Sequence, residues 1–430
     1  MKKAIIILSI LLFCSSLYAQ KIATAQETPV PCNGDADGLP GKYTDHTNPK
    51  YPSSLKGPAP DKAAMTKQLI AFEKLEEASR ANFQLTGCVA RVSFSGGDKN
   101  TYVNIVRNGY NYQLGVYQNV CHVTQHIVKT VGEYRTVLRV NVNPYLIADG
   151  LRGAGEFYLT DRSVRYQLPI DAKEGPDYEK DKKTNPSHIS QYFSEGTLLT
   201  GRSNDYKNKH ADFLKLNNGS GYVENFMSGS RDDKPNPKGY KWIDRHYLIT
   251  KQGVPLLIPV TKKQYLEDLL EYFEIEKANF YYSLNELIKR NAGNTSDNAQ
   301  KRAAVLEADK TAYAKLYEDK KAKVKQLLAT QKEEWLQKQA VVAANNITYD
   351  AYERLNEIGK FYDKEDEYRI ALNVLNSAYF KTNTTQTSTS PILIEVQFRY
   401  EIGGDHGFSE RLFNNFLKNY DLESLKKMLN

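Results

Sequence analysis

Most of what would name a chemistry is missing from this chain. Four cysteines in 430 residues cannot make a disulfide-built scaffold, so an apolar core must hold the fold together. There is no G-x-S-x-G, H-E-x-x-H, phosphate-binding glycine loop or C-x-x-C. The usual sequence grounds for a serine hydrolase, a zinc peptidase, a nucleotide enzyme or a thiol oxidoreductase are therefore absent. Charge of one sign is lacking too: 58 basic side chains face 51 acidic ones. No dense Arg/Lys cluster is interleaved with aromatics, so no nucleic-acid partner is expected. After the first 20 residues, no apolar run approaches the roughly 20 residues a membrane helix needs. The mature chain is expected to have no transmembrane segment.

What is present begins at the N-terminus. Lys2-Lys3 precede an apolar run over 4–13, followed by small residues and Tyr18-Ala19-Gln20. This is the pattern of a secretory signal peptide over 1–20. Phe13 stands where lipid attachment at Cys14 would need a small residue. The expected destination is secreted or periplasmic, an oxidising compartment in which disulfides persist. Cys88 and Cys121 lie in segments of strand pattern and are the expected disulfide pair, leaving Cys32 odd, with its pairing to either of the others or a free thiol as the alternatives.

A chain this long exceeds the ~250–300 residues that one core supports, so several units are expected. Residues 21–60, rich in Pro, Gly, Asp and Thr, read as an extended leader. Over 61–260 an α+β sheet domain is expected. Asp61 caps a helix whose Met65, Leu69, Phe72 and Leu75 recur at spacings of 3–4. From Leu85 the period changes to two, predicting strands at 88–94, 101–107, 110–117, 119–128 and 134–140, with a hairpin over 156–168. A strand over 242–250 turns at Lys251-Gln252-Gly253 into a returning strand over 254–260. The prolines at 255 and 259 lack amide protons and place that strand at a sheet edge.

Residues 261–380 read as long helices. Thr261 with Gln264 forms a capping box, and Asp297 with Gln300 a second one. Leu306, Tyr317 and Leu328 recur every 11 residues, as do Tyr313, Val324 and Trp335, predicting a nearly straight helix from Asp297 to about Ala344. Further helices over 347–379 would pack along it. A polar linker follows, and 391–430 carry a strand and amphipathic helices that return to the body. The predicted fold class is α+β: antiparallel curved sheets with packed helices, plus a long-helix antiparallel hairpin, a coiled-coil-like arrangement, or a small bundle.

Four places could carry a site. Asn33, Asp35 and Asp37 alternate oxygens as the opening of a calcium loop does, but Thr44 stands where a bidentate Glu is required. Calcium is the one cofactor this pattern admits. In Cys121-His122-Val123-Thr124-Gln125-His126 the histidines would share a strand face about 13 Å apart, too far for one ion. Gly403 and Gly404, with Asp405 and His406, stand between a strand and a helix, a geometry that can present amides to an anion. Asp405 and His406 with Ser409 are also the residue types of a hydrolytic triad, although neighbouring side chains diverge where a triad must converge. Alternation in the 242–250 strand puts Trp242, Asp244 and His246 on one face, as a groove lining or a polar network.

The signal ending in Tyr18-Ala19-Gln20, together with an Asn-, Lys- and Tyr-heavy composition, resembles uncharacterised exported proteins of Bacteroidota-type bacteria. That resemblance implies a Gram-negative envelope destination and transfers no catalytic residue. Thirty tyrosines against 16 phenylalanines suit half-buried recognition surfaces. The expected function is a non-catalytic binding or structural envelope protein, with an envelope protein or a glycan as partner. The competing expectations are a hydrolase, metal-dependent or built as a triad on His246, Asp405 and His406, and a calcium-stabilised adhesion component.

Overall fold

The computed structural model describes residues 29–48, 53–102, 105–144, 193–194, 221–227, 242–292, 296–343, 358–364, 369–381, 386–401 and 407–429. The expected export signal, the expected hairpin over 156–168 and Gly403, Gly404, Asp405 and His406 lie outside the described residues.

Along the chain come β1 (Lys42–Thr44), β2 (Ser54–Leu55), α1 (Ala59–Ser79), β3 (Cys88–Tyr102), β4 (Ile105–Cys121) and β5 (Val128–Val142). Next are β6 (Phe193–Ser194), β7 (Val223–Met227), β8 (Trp242–Ile249), β9 (Leu257–Pro259), α2 (Lys262–Ala292) and α3 (Asp297–Thr330). The chain ends with α4 (Glu333–Leu336), β10 (Val341–Ala343), β11 (Arg369–Leu375), β12 (Ile394–Glu401), α5 (Gly407–Asn419) and α6 (Leu422–Lys426).

An eight-stranded sheet of order β1-β3-β4-β5-β12-β8-β7, with β2 also on β3, forms the body. Strand β12 returns from near the chain end and pairs antiparallel with both β5 and β8. Period-2 alternation gives this sheet one apolar face. Val92 and Phe94, Tyr112 and Leu114, Leu138 and Val140, Val396 and Phe398, and Ile249 are buried on it. Met65, Leu69 and Phe72 of α1 and Phe408, Leu412, Phe413 and Phe416 of α5 cover that face. Each such side chain contributes about 1.5–3 kcal/mol by leaving water.

The fold is mixed α+β, but the expected curvature of the antiparallel sheets is not found. The sheets are not curled. The strand order is an open path whose two ends stay apart, and α1 and α5 both pack on the apolar face. Curling needs bulges or glycine kinks repeated across a sheet. Here the irregularities in the strand pairings fall between Gly96 and Asp98 and between Val116 and Asn119.

A second, four-stranded sheet joins β10, β11, β6 and β9. Here β9 pairs with β11 instead of folding back on β8, so the expected 242–260 hairpin is not formed. Residues 369–375, expected as helix, form β11 because Ile370, Leu372 and Val374 alternate with polar or small residues. Helices α2 and α3 run antiparallel: Tyr281 meets Tyr313 edge-on at 5.9 Å, and Lys310 reaches Asn285. Thr261 caps α2 by accepting the Gln264 amide at 3.1 Å. The cap of α3 is Ser296, not Asp297. That helix stops at Thr330, well before Ala344, with Gln331 and Lys332 extended. The chain must then turn so that Val341–Ala343 can pair with β11. Likewise α1 begins after Pro58, and Asp61 accepts instead from Asn108 and Ser388. A third cluster, with Tyr102, Leu248, Tyr379 and Phe380, packs where the two sheets approach.

Among the described residues no helix is long and apolar enough to cross a membrane. One disulfide is present, but it joins Cys32 to Cys121, and Cys88 is free and buried. The expected Cys88–Cys121 bridge fails on register. Cys88 lies opposite Gln118, three residues from Cys121, which is roughly 10 Å along a strand and beyond disulfide reach. Cys32 stands 5.8 Å from Cys121, Cα to Cα, and burial pushes the Cys88 thiol up to about 12.

Candidate functional site

The second face of the large sheet is polar, and the sequence dictates this through the same alternation that builds the core. Three rows of side chains cross the strands in register. The middle row runs Ser93, Gln113, Arg139, Gln397 and His246. On one side lie Ser95, Asn111, Asn141 and Glu395, ending at Leu248. On the other lie Arg91, Gly115, Val137, Arg399 and Asp244.

These rows are knitted by hydrogen bonds. Arg139 donates Nε to Gln113 at 2.8 Å, Nη1 to Gln397 at 3.1 Å and Nη2 to the Tyr134 hydroxyl at 3.0 Å. Asn141 donates to Glu395 Oε2 at 2.9 Å, and His246 Nδ1 lies 2.8 Å from Glu395 Oε1. Arg399 grips both oxygens of Asp244 at 2.7 and 2.8 Å. Ser95 donates to Asn111 at 3.0 Å. Apart from the buried Gly115, Val137 and Asp244, the members of these rows on β3, β4, β5, β12 and β8 up to His246 are half-buried. Their orientation is thus fixed before any ligand arrives.

The sequence candidates fall into place against this lattice. Trp242, Asp244 and His246 do share the polar face, with Trp242 at its rim opposite Glu401. Asp244 is committed to Nε and Nη2 of Arg399, and His246 is oriented through Nδ1 by Glu395. Asp244 and Glu395 sit four register positions apart, roughly 14 Å. That exceeds the ~5–9.5 Å separation of paired glycosidase carboxylates.

At the calcium-loop candidate, Asp37 holds Arg411 at 3.0 and 3.1 Å, and Asp35 accepts the Asp37 backbone amide. A guanidinium already occupies the carboxylate that calcium would need, and Asn33 is exposed. Among the described residues no group of three or more His, Cys, Asp or Glu converges as a metal site. Cys121 is consumed in the disulfide, and His122 Nδ1 accepts the Gln125 amide in the turn. Ser409 sits inside α5, where its hydroxyl accepts the Glu401 amide at 2.8 Å.

A second polar cluster lies beneath α1 and was not read from the sequence. Glu76 is bound by Arg80 through both oxygens and approached by the Tyr112 hydroxyl at 3.4 Å. Burial pushes the Glu76 carboxyl up, against the opposing pull of Arg80. Glu73 receives His46 Nδ1 at 2.5 Å and the Tyr43 hydroxyl at 3.2 Å, fastening the leader to the helix. A narrow cleft with room for about one water molecule opens here between Glu76, Arg80, Asn415 and the sheet. Its signal was available: the spacing Met65, Leu69, Phe72 calls for an apolar residue at 76, and a glutamate stands there. The lattice residues Gln113, Arg139, Glu395 and Gln397 were equally missed, because alternation gives a face while only register gives neighbours.

No family model, curated protein or solved structure matches this chain.

Proposed function

We propose that the protein is an exported, non-catalytic binding component of the bacterial envelope, and that the polar face of its large sheet engages a glycan. The observation that carries this reading is the three-row lattice centred on Arg139. Sugars present hydroxyls that both donate and accept, and they are matched by planar amides, guanidinium and carboxylate groups held at fixed spacing. Prior hydrogen bonding among those groups lowers the ordering cost of binding. The commitment of Asp244 to Arg399 and the roughly 14 Å between Asp244 and Glu395 favour binding over glycoside hydrolysis. The export signal and the tyrosine-rich composition support the destination.

Affinity electrophoresis of the full chain through gels containing neutral and acidic polysaccharides tests the proposal. Retardation in at least one gel is expected, with loss in the double variant Gln113→Ala/Gln397→Ala. Unretarded migration in every gel, or retardation indifferent to that variant, would defeat the reading. Release of new reducing ends during incubation would defeat its non-catalytic part.

A further inference from the structure

The three acceptors around Arg139 are two amide oxygens and a phenol, and among the described residues no carboxylate pairs with it. A guanidinium has five N–H donors, of which these contacts use three. Beside it, Gly115 sits between two rings. A Cβ at that position would lie 3.3 Å from the Tyr117 ring and 3.4 Å from the Tyr134 ring. Those rings meet edge-on at 5.6 Å, and the guanidinium of Arg91 lies 4.2 Å from the Tyr117 centroid. The register of β4 against β5 is irregular on both sides of Tyr117, the kind of bulge that re-aims a side chain. The order across the patch is Arg91, Tyr117, Tyr134, Arg139: two aromatic faces between two cations.

From this geometry we propose that the Arg91–Tyr117–Tyr134–Arg139 patch is a subsite for the anionic group of an acidic saccharide, a carboxylate or a sulfate. The inference rests on reading this face as glycan-binding and adds the ligand class. The anion takes the two spare N–H groups of Arg139, a charge-assisted contact stronger than a neutral one. The tyrosine rings offer apolar area for the sugar ring and hydroxyls for its oxygens.

Isothermal titration of the full chain with four probes tests it: an oligogalacturonate, the same oligosaccharide with its carboxyls reduced, a heparin-derived oligosaccharide and a single-stranded DNA oligonucleotide. The oligogalacturonate or the heparin fragment, whichever anion fits, is expected to bind about tenfold more tightly than the carboxyl-reduced sugar. Its affinity should fall as salt is raised. Arg139→Gln should remove that advantage, so that the acidic and the reduced sugar bind the variant alike. Should Arg139→Gln lose the circular dichroism spectrum of the parent, Arg91→Gln reads the other flank and is expected to act in the same direction. Equal binding of the acidic and reduced sugars, sensitive to Gln113→Ala/Gln397→Ala, overturns the anionic subsite while leaving the glycan face standing. Absence of binding by all the sugars overturns both. Tighter binding of the oligonucleotide than of either acidic sugar overturns the saccharide assignment.

Discussion

Asp244 and Arg399 face each other across β8 and β12 with the carboxylate side chain 3% exposed, whereas Lys315 and Asp319, one turn apart on α3, are 78% and 39% exposed. Both are short ion pairs. The sheet places its pair by strand register, so neighbouring rows enclose it. The helix places its pair by i,i+4 spacing on a face that water reaches. An enclosed carboxylate that loses its partner cannot be rescued by solvent, and removing one member of a buried pair costs ~3–5 kcal/mol. Exposed helical pairs contribute ~0.3–0.5 kcal/mol. The body therefore uses charge to fix side chains in position, while the arm formed by α2 and α3 carries it on faces that water reaches. The buried Lys262 of α2 also meets aromatic rings, with Nζ 4.5 Å from Trp335 and 5.2 Å from Phe361. Burial there holds the lysine's pKa below its ordinary value.

The contrast breaks most visibly at Arg399→Ala. It should lower unfolding free energy by roughly 3 kcal/mol, toward the low end for a buried pair because Arg399 is partly exposed. Urea titration followed by tryptophan fluorescence reads it, and a change below ~1 kcal/mol would mean that Asp244 is better hydrated than its burial implies. Next comes Leu284→Ala in the arm, where the side chain is fully buried. A loss of about 2–3 kcal/mol is expected. A transition of the arm separate from that of the sheet in calorimetry would sharpen the division, and a single shared transition would blur it.

The pH dependence of the body supplies a third test. Burial raises the folded pKa of Glu76 above its ordinary value of 4.5, so the folded state holds its proton over a range where the unfolded state has lost it. The associated stability is fully present below the unfolded pKa and is lost as pH rises through the folded pKa. Glu76→Gln keeps an acceptor for Arg80 and should flatten that decline in urea midpoints measured from pH 4 to 8. Parallel slopes for the two proteins would contradict the assignment. The smallest effect belongs to Lys315→Ala, expected within about 0.5 kcal/mol and erased by 1 M salt. A larger, salt-resistant loss would place that residue in a contact of another kind.

Much of the local structure was legible. The apolar spacing of α1, the alternation of 134–140, the Thr261 cap and the Leu306, Tyr317 and Leu328 stripe of α3 are all local signals, and each lies within one element. What stayed hidden was set by neighbours. The course of β9 depends on β11, far along the chain, and no proline or glycine marks the break after Thr330. The disulfide was misassigned because strand pattern gives no register: Cys88 faces Gln118, and the leader that brings Cys32 to Cys121 has no periodicity. At the candidate site, Asp244 and His246 were visible as polar members of a strand. Their partners Arg399 and Glu395 sit some 150 residues away, and only the return of β12 makes them neighbours.

The polar sheet face is the surface proposed to carry the ligand. Hydroxyl-radical footprinting of the full chain, with and without an oligogalacturonate, compares Tyr117 and Tyr134 on that face with Tyr222 near the opposite face and Tyr281 on the arm. Lower oxidation of Tyr117 and Tyr134 upon binding, with Tyr222 and Tyr281 unchanged, is the predicted result. Protection of Tyr222 or Tyr281 with Tyr117 and Tyr134 oxidised as before would contradict it.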